Sequence, residues 1–409
     1  MRAMDIPPPS DFPRLSRHGR LLDRGVVIPH PDSVFVDADV DPERIAPGVV
    51  LHPGTRLSGE TLSIGPGCVI GGETPATVTD CQLGHDVALK GGFFHGAVFL
   101  DESGCGSSAH VRPGCLLEEE ASIAHAVGLK QTILLPFVTL GSLINFCDVL
   151  MAGGTSRKDH GEVGSSFIHF NFTPHGDKAT PTLIGDVPRG VLLDQPPVFL
   201  GGQGGLVGPV SVEFGVVQAA GSICREDMDC PGHLYRFAGP GETSARPYVK
   251  GRVRDAERRL QANLRFIGNL FALRLWYGTF RKPLMSSDPY RERCRQAAAA
   301  LLGQAAEDRV RQLDKWVRKL DEAHGEAGGD AGEALEVARR WPRMHEDLRR
   351  ELAVESEAPA LAQIAESHAE HAESVTAAVK GLNEEARETI FSRLNTEVQR
   401  ALSIADRVQ

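Results

Sequence analysis

From Ile45 onward an aliphatic residue recurs at every sixth position. IAPGVV, LHPGTR and LSGETL follow without a break, then IGPGCV after one extra residue, and later LGHDVA, VRPGCL, LEEEAS, IAHAVG and LKQTIL. Neither an amphipathic helix, with its period of 3.6, nor a half-buried strand, with its period of 2, produces this cadence. A period of six with Gly and Pro at the corners predicts short parallel strands joined by turns, and three such units close one coil of the stack. The predicted fold class is β, a parallel β-helix of hexapeptide repeats over 45–224, whose aliphatic positions bury one another along a continuous axis. Residues 71–82, 93–109 and 153–162 break the sixes with Gly, Thr and Ser and read as loops thrown out from the coil. The cadence returns at VFLGGQ, LVGPVS and VEFGVV and fades after Ile223.

Residues 1–44 read as a lead-in with the first strands, and the Pro- and Gly-rich stretch 225–252 as an extended arm or linker. Residues 253–409 are rich in Ala, Leu, Glu and Arg and predict an α-helical domain. Leu260, Leu264, Ile267 and Phe271 share one face at helical spacing, as do Val310, Leu313, Val317 and Leu320. Such stripes fit either the core of a helical bundle or a seam for self-association.

Composition then narrows the classes of function. The 409 residues, 41% hydrophobic and 24% charged, suffice for two compact domains. A formal charge of -10 argues against a nucleic-acid partner, because affinity for a phosphate backbone comes from clustered excess Lys and Arg. Local basic sites for a small phosphate stay open. The opening MRAMDIPPPSDFPR lacks the apolar core of a signal peptide, and no window approaches the roughly 20 apolar residues of a membrane span. The expectation is a cytoplasmic protein with no membrane partner. Eight cysteines without a CxxC pair read as reduced structural thiols, with no metal site expected.

One stretch departs from the aliphatic background. Between Gly141 and Asp186 it gathers His160, His169 and His175, Arg157, Lys158 and Lys178, and Asn171. A fold built of short apolar repeats does not need such a polar interruption for stability, so the interruption asks for a ligand.

VVLHPGTRLSGET, RPGCLLEE, NFTPHGDKATPTLIGD and VFLGGQGGLVGPVSVEFGVVQAAGSI together give residues 25–225 a further meaning. In these motifs the chain resembles the C-terminal acetyltransferase domain of the bifunctional N-acetylglucosamine-1-phosphate uridyltransferase/glucosamine-1-phosphate acetyltransferase family, within the hexapeptide-repeat acyltransferases. The resemblance implies a left-handed β-helix, a homotrimer, and acetyl-CoA and a sugar phosphate bound between subunits. No Gly-rich phosphate loop precedes residue 45, so pyrophosphorylase activity is not expected.

The resemblance also assigns positions. It places the family's phosphate-binding cations on Arg112 and Lys130, its asparagine and lysine on Asn171 and Lys178, and its acetyl-CoA contacts on Ser165, Gly202 and Ala220, with Phe172 in place of a tyrosine. For the cations the spacing agrees independently: 130 minus 112 is 18, three sixes and so one coil, which stacks them about 5 Å apart. Like charges held that close call for an anion. Other positions depart from the family. Its catalytic histidine becomes Ser142, a neighbouring tyrosine becomes Asn145, and a sugar-contacting asparagine becomes Glu162.

Serine is no base near neutral pH without another base to activate it. The candidates for a replacement are His169, His175 and His160, with Glu162 behind them. His95, His110 and His125 are evenly spaced and invite a zinc reading, but their spacing falls short of one coil, so their side chains would not converge. Two functions remain in view: an acyl-CoA-dependent transferase acting on a sugar phosphate or nucleotide sugar, and a phosphosugar-binding scaffold that has lost catalysis with the family histidine.

Overall fold

The computed structural model describes residues 13–172, 178–237, 255–324, 332–354, 356–369 and 371–407. Short strands pair in parallel, each with strands one coil before and one coil after, and form a β-solenoid. Three ladders run along it. The first passes through Val50–Leu51, Val69–Ile70, Ala88–Leu89, Gly104–Cys105, Ser122–Ile123, Thr139–Leu140, Glu162–Val163, Phe199–Leu200, Val217–Gln218 and Leu234–Tyr235. The second runs from Phe35–Val36 to Ile223–Cys224, and the third from Ser63–Ile64 to Val210–Val212. Strands Gly128–Leu134 and Asn145–Met151 pass unbroken from the second ladder into the third.

The cadence of six is the cadence of the interior. Leu51, Ile70, Leu89, Cys105, Ile123, Leu140, Val163 and Leu200 stack in register on the first ladder. Val36, Leu57, Val78, Phe94, Val111, Leu129 and Phe146 do so on the second, and Ile64, Leu83, Phe99, Leu117, Leu134, Met151, Ile184 and Val212 on the third. All belong to one buried cluster, which the short helix Pro13–Asp23 joins through Leu21. In this stack each coil keeps its neighbours' apolar surface from water.

Two expectations are corrected. Segments 71–82 and 93–109 are not loops: they contain Ala76–Thr79, all but the first residue of Gly92–His95, Val98–Phe99, Gly104–Cys105 and part of the next strand. Their hexads are blurred, but Val78, Phe94 and Phe99 still fill the interior. Coil length flexes to absorb the irregularity, since Arg56 pairs with Thr77 over a long coil and Thr77 pairs with Phe93 over a shorter one. Segment 225–252 is not wholly an arm either. Met228 bridges Val212, and Leu234–Tyr235 adds a rung against Val217–Gln218. The 153–162 segment does leave the coil, between Met151 and Glu162.

The C-terminal helices, among them Ala256–Gly278, Pro289–His324, Gly332–Ala353 and Glu384–Asp406, pack on one another and on the third ladder. Both apolar stripes read from the sequence lie in the resulting core: Leu260, Leu264, Ile267, Phe271, Val310, Leu313, Val317 and Leu320 are all buried with Val98, Leu116, Ile133 and Leu150. Every cysteine is a free thiol, seven buried and Cys230 exposed.

Candidate functional site along one edge of the solenoid

Where the chain turns from the first ladder to the second, the corner residues of successive coils stack in a column: Ser107, His125, Ser142, Ser165, Gly202 and Ala220. Backbone hydrogen bonds fix the order. The carbonyls of Ser107, His125, Ser142, Ser165 and Gly202 accept from the amides of Ala126 (2.9 Å), Leu143 (3.1 Å), Ser166 (2.8 Å), Gln203 (2.8 Å) and Gly221 (2.9 Å), each the residue after the corner on the next coil. Those following residues hold a positive φ, from 52° at Gln203 to 72° at Gly221, which makes the turn sharp. Thus the structure brings the three positions assigned to acetyl-CoA and the position of the family histidine onto one line.

Small side chains keep that line shallow. A Cβ on Gly202 would lie 2.8 Å from the Ser165 carbonyl oxygen, so the column admits no larger residue there without moving the backbone. The Ser142 amide donates to Ser165 Oγ (3.1 Å), and Ser142 Oγ is hydrogen-bonded to His125 Nδ1 at 2.8 Å. His125 is exposed. It was missed from sequence as a site residue except in the zinc reading; only a coil with one position dropped, counted back from Ser142, leads to it.

The cations lie on the second ladder, a few residues past that corner. Val111 pairs with Leu129 and the Arg112 amide donates to the Leu129 carbonyl (2.9 Å), which sets Arg112 beside Lys130; Lys130 in turn pairs with Cys147. Burial and Asp148 push the Cys147 thiol up to about 11, while the charges of Lys130, Lys178 and Arg112 pull the other way. Arg112 and Lys130 are thus neighbours on one ladder, and the charge of Lys178 reaches Cys147 beside them. Asn145 is exposed on the ladder between corner and cations, and Phe172, 63% exposed, follows strand Ile168–Phe170.

Asn171 and Lys178 are held from the helical side. Asn171 Nδ2 donates to Asp148 Oδ2 (3.1 Å), and the other Asp148 oxygen accepts from Arg309 (3.2 Å), a buried residue of helix Pro289–His324. Arg309 also donates to the Lys178 carbonyl (2.9 Å), and Asn263 to the Ala179 carbonyl (3.2 Å). Asn171, through Asp148, and the backbone of Lys178 and Ala179 are thereby pinned to helices far away in sequence.

The expected bases fare differently. His169 is buried, its Nδ1 against the Cys147 carbonyl (2.6 Å) and its Nε2 against Thr182 Oγ1 (2.8 Å). Burial pushes its pKa down to about 4, so it is a neutral structural ring with no free nitrogen, which corrects its candidacy as a base. His160 sits at a different corner, in the loop leaving the third ladder, with Nδ1 at the Arg157 carbonyl (2.9 Å) and Nε2 3.8 Å from Glu162. Arg157 clips that loop down through the Glu120 and Phe137 carbonyls and Thr139 Oγ1. Glu162 stands on the first ladder opposite Thr139, not among the cations. His175 lies outside the described residues. His110 pairs with Phe93 and stacks on its ring at 5.0 Å, away from the column that holds His125.

A parallel β-solenoid of hexapeptide repeats, with a corner column of small residues and a cluster of cations on one ladder, is the class that fold and site define. Comparison with known proteins agrees with the family resemblance read from the motifs. The chain is 27% identical over 215 residues to the Bifunctional protein GlmU of Thermotoga petrophila, covering 53% of this chain and 43% of that protein. It is 29% identical over 210 residues to that of Trichlorobacter lovleyi (51% and 40%) and 28% identical over 242 residues to that of Mycolicibacterium smegmatis (56% and 45%). The chain spans less than half the length of these relatives. No protein-family model matches it. Among solved structures, the polysialic acid O-acetyltransferase OatWY aligns with 51% of this chain and 80% of its own at 12% identity, but a TM-score of 0.16 is too loose a superposition to support a conclusion. Among the described residues no helix is long and apolar enough to cross a membrane.

Proposed function

We propose that the chain is an acyl-CoA-dependent acyltransferase, with acetyl-CoA as the expected co-substrate, acting on a sugar phosphate or nucleotide sugar of the glucosamine 1-phosphate type. The observation that carries this reading is the stacking of Ala220, Gly202, Ser165 and Ser142 on one edge, beside a ladder that sets Arg112 next to Lys130. A shallow column lined by backbone and small side chains suits an extended pantetheine arm, and clustered cations suit a phosphate. Asn171 and Lys178 then orient acceptor or thioester. The solenoid is expected to be left-handed and the molecule a homotrimer: Leu143, Ile168, Phe170, Phe172 and Ile223 are 40 to 63% exposed along this side, apolar surface that a second copy would cover.

Incubation with acetyl-CoA and a panel of amino- and hydroxyl-bearing phosphosugars should release free thiol. Lys130→Ala should weaken acceptor binding, measured by calorimetry, by about 1.5–3 kcal/mol, the usual worth of a hydrogen bond to a charged group. The second reading is a phosphosugar-binding scaffold, favoured by the serine at the family histidine's position. Binding that depends on Lys130 with no thiol release from any acceptor would establish it.

A further inference from the structure

Acyl transfer from a thioester needs a group that accepts the proton of the attacking amine or hydroxyl. Of the histidines expected to serve, His169 is enclosed and His160 sits on another corner. Ser142 itself is no base. Yet its hydroxyl is not alone: His125, one rung back in the column, meets it at 2.8 Å through Nδ1. That contact depends on coil length. The coil that pairs Gly104 with Ser122 and His110 with Gly128 has the regular length, three sixes. The next, which pairs Ser122 with Thr139 and Gly128 with Asn145, is shorter by a single position, and this shortening sets position 125 under position 142.

We propose that His125 is the general base of the reaction and that Ser142 is its positioning residue, so that the base has moved one coil along the same edge. The proposal rests on the acyltransferase reading. With Nδ1–H donating to Ser142 Oγ, the lone pair is left on Nε2, and His125 is exposed, so that nitrogen can reach a bound acceptor. The chain from His125 to Lys130 spans at most about 18 Å when fully extended, so base and phosphate-binding cations flank one ladder. Asn145 lies between them. The step balances. The acceptor's lone pair forms a bond to the thioester carbonyl carbon while its proton passes to His125 Nε2. The carbon–sulfur bond then breaks, and the departing thiolate takes that proton from His125 and leaves as the free thiol.

The test uses the full chain with acetyl-CoA and the phosphosugar panel, read as thiol release, with calorimetric binding of glucosamine 1-phosphate as the control for folding. His125→Ala should lower turnover by about 10²–10⁴-fold, the usual contribution of a general base. Added imidazole should restore part of it, with acceptor binding unchanged; a purely structural histidine would not respond to imidazole. Ser142→Ala should lower kcat with little change in KM, and Ser142→Thr, which keeps a hydroxyl, should recover most of the loss. Turnover by His125→Ala within threefold of the parent, or a loss that imidazole does not relieve, overturns the proposal and leaves the acyltransferase reading standing. If the parent chain releases no thiol with any acceptor of the panel, the acyltransferase reading falls and the proposal falls with it.

Discussion

The second and third ladders of the solenoid are built from the same repeat, often from the same strand, yet they face different worlds. Within Gly128–Leu134 the interior residues Leu129 and Leu134 serve one core, but the outward residue is Lys130 on the second ladder and Ile133 on the third. One rung further, Asn145 and Leu150 repeat the contrast. Val98, Leu116, Ile133, Leu150 and Leu183 make an outward apolar ladder that the helices cover, whereas Arg112, Lys130, Asn145 and Ile168 leave the second ladder open. The lesson is that the inward column decides the coil and the outward column decides what docks on it.

The covered ladder also holds a buried ion cluster. Glu118 and Glu119 are buried there and share Arg281, whose guanidinium donates to Glu119 at 2.5 and 2.9 Å and to Glu118 at 3.0 Å; Tyr277 adds a 2.6 Å hydrogen bond to Glu118. Arg281→Ala would leave two carboxylates in a dry interface with no cation. We expect it to destabilise the chain by about 3–5 kcal/mol in chemical denaturation. A loss below about 1 kcal/mol, the worth of an exposed ion pair, would mean that the helices do not hold this face in solution.

A smaller effect follows from the same cluster. One guanidinium does not fully offset two buried carboxylates, and burial pushes Glu118 up from its ordinary 4.5 to about 7, with Arg281 opposing and Glu119 reinforcing the shift. Between those pH values the folded chain binds more protons at this site than the unfolded one. The site's contribution to stability is therefore fully present below about pH 4.5, declines as pH rises through the window, and is lost above about 7. The slope cannot exceed one proton's worth, about 1.4 kcal/mol per pH unit. Glu118→Gln should flatten it, as measured by urea midpoints across that window; an unchanged slope would place the titration elsewhere.

How much of this was legible beforehand depends on whether the partner lies in the repeat. The interior columns were legible because each coil must supply an aliphatic residue at the same phase, and Arg112 with Lys130 because one coil separates them. Helix docking had a signal that was not used: Leu116–Leu117, Ile133–Leu134 and Leu150–Met151 are double aliphatics, and a strand apolar on both sides is covered on both. Glu118 and Glu119 look like an ordinary polar corner in LEEEAS, since Arg281 belongs to a helix remote in sequence. The last rung was missed because Met228 and Leu234 sit in no hexad. His125 entered only a zinc reading that its spacing from His110 set aside, and a coil of three full sixes back from Ser142 lands on Ala124; with one position dropped from the coil, His125 is the neighbour of Ser142.

The contrast between ladders can be tested at its mildest with two aliphatic residues. Leu150 is 0% exposed on the third ladder and Ile168 is 42% exposed on the second. Leu150→Ala removes side-chain carbons from a packed interface and should cost about 2–5 kcal/mol. Ile168→Ala should stay within about 0.5 kcal/mol for the single chain, as surface substitutions do. The smaller number is the more informative, because it depends on what covers the second ladder. If copies pack there as proposed, the Ile168→Ala cost should grow with protein concentration and light scattering should show weakened assembly. If the cost is small at every concentration and the mass unchanged, the second ladder is open in solution, and the site must work from one chain alone.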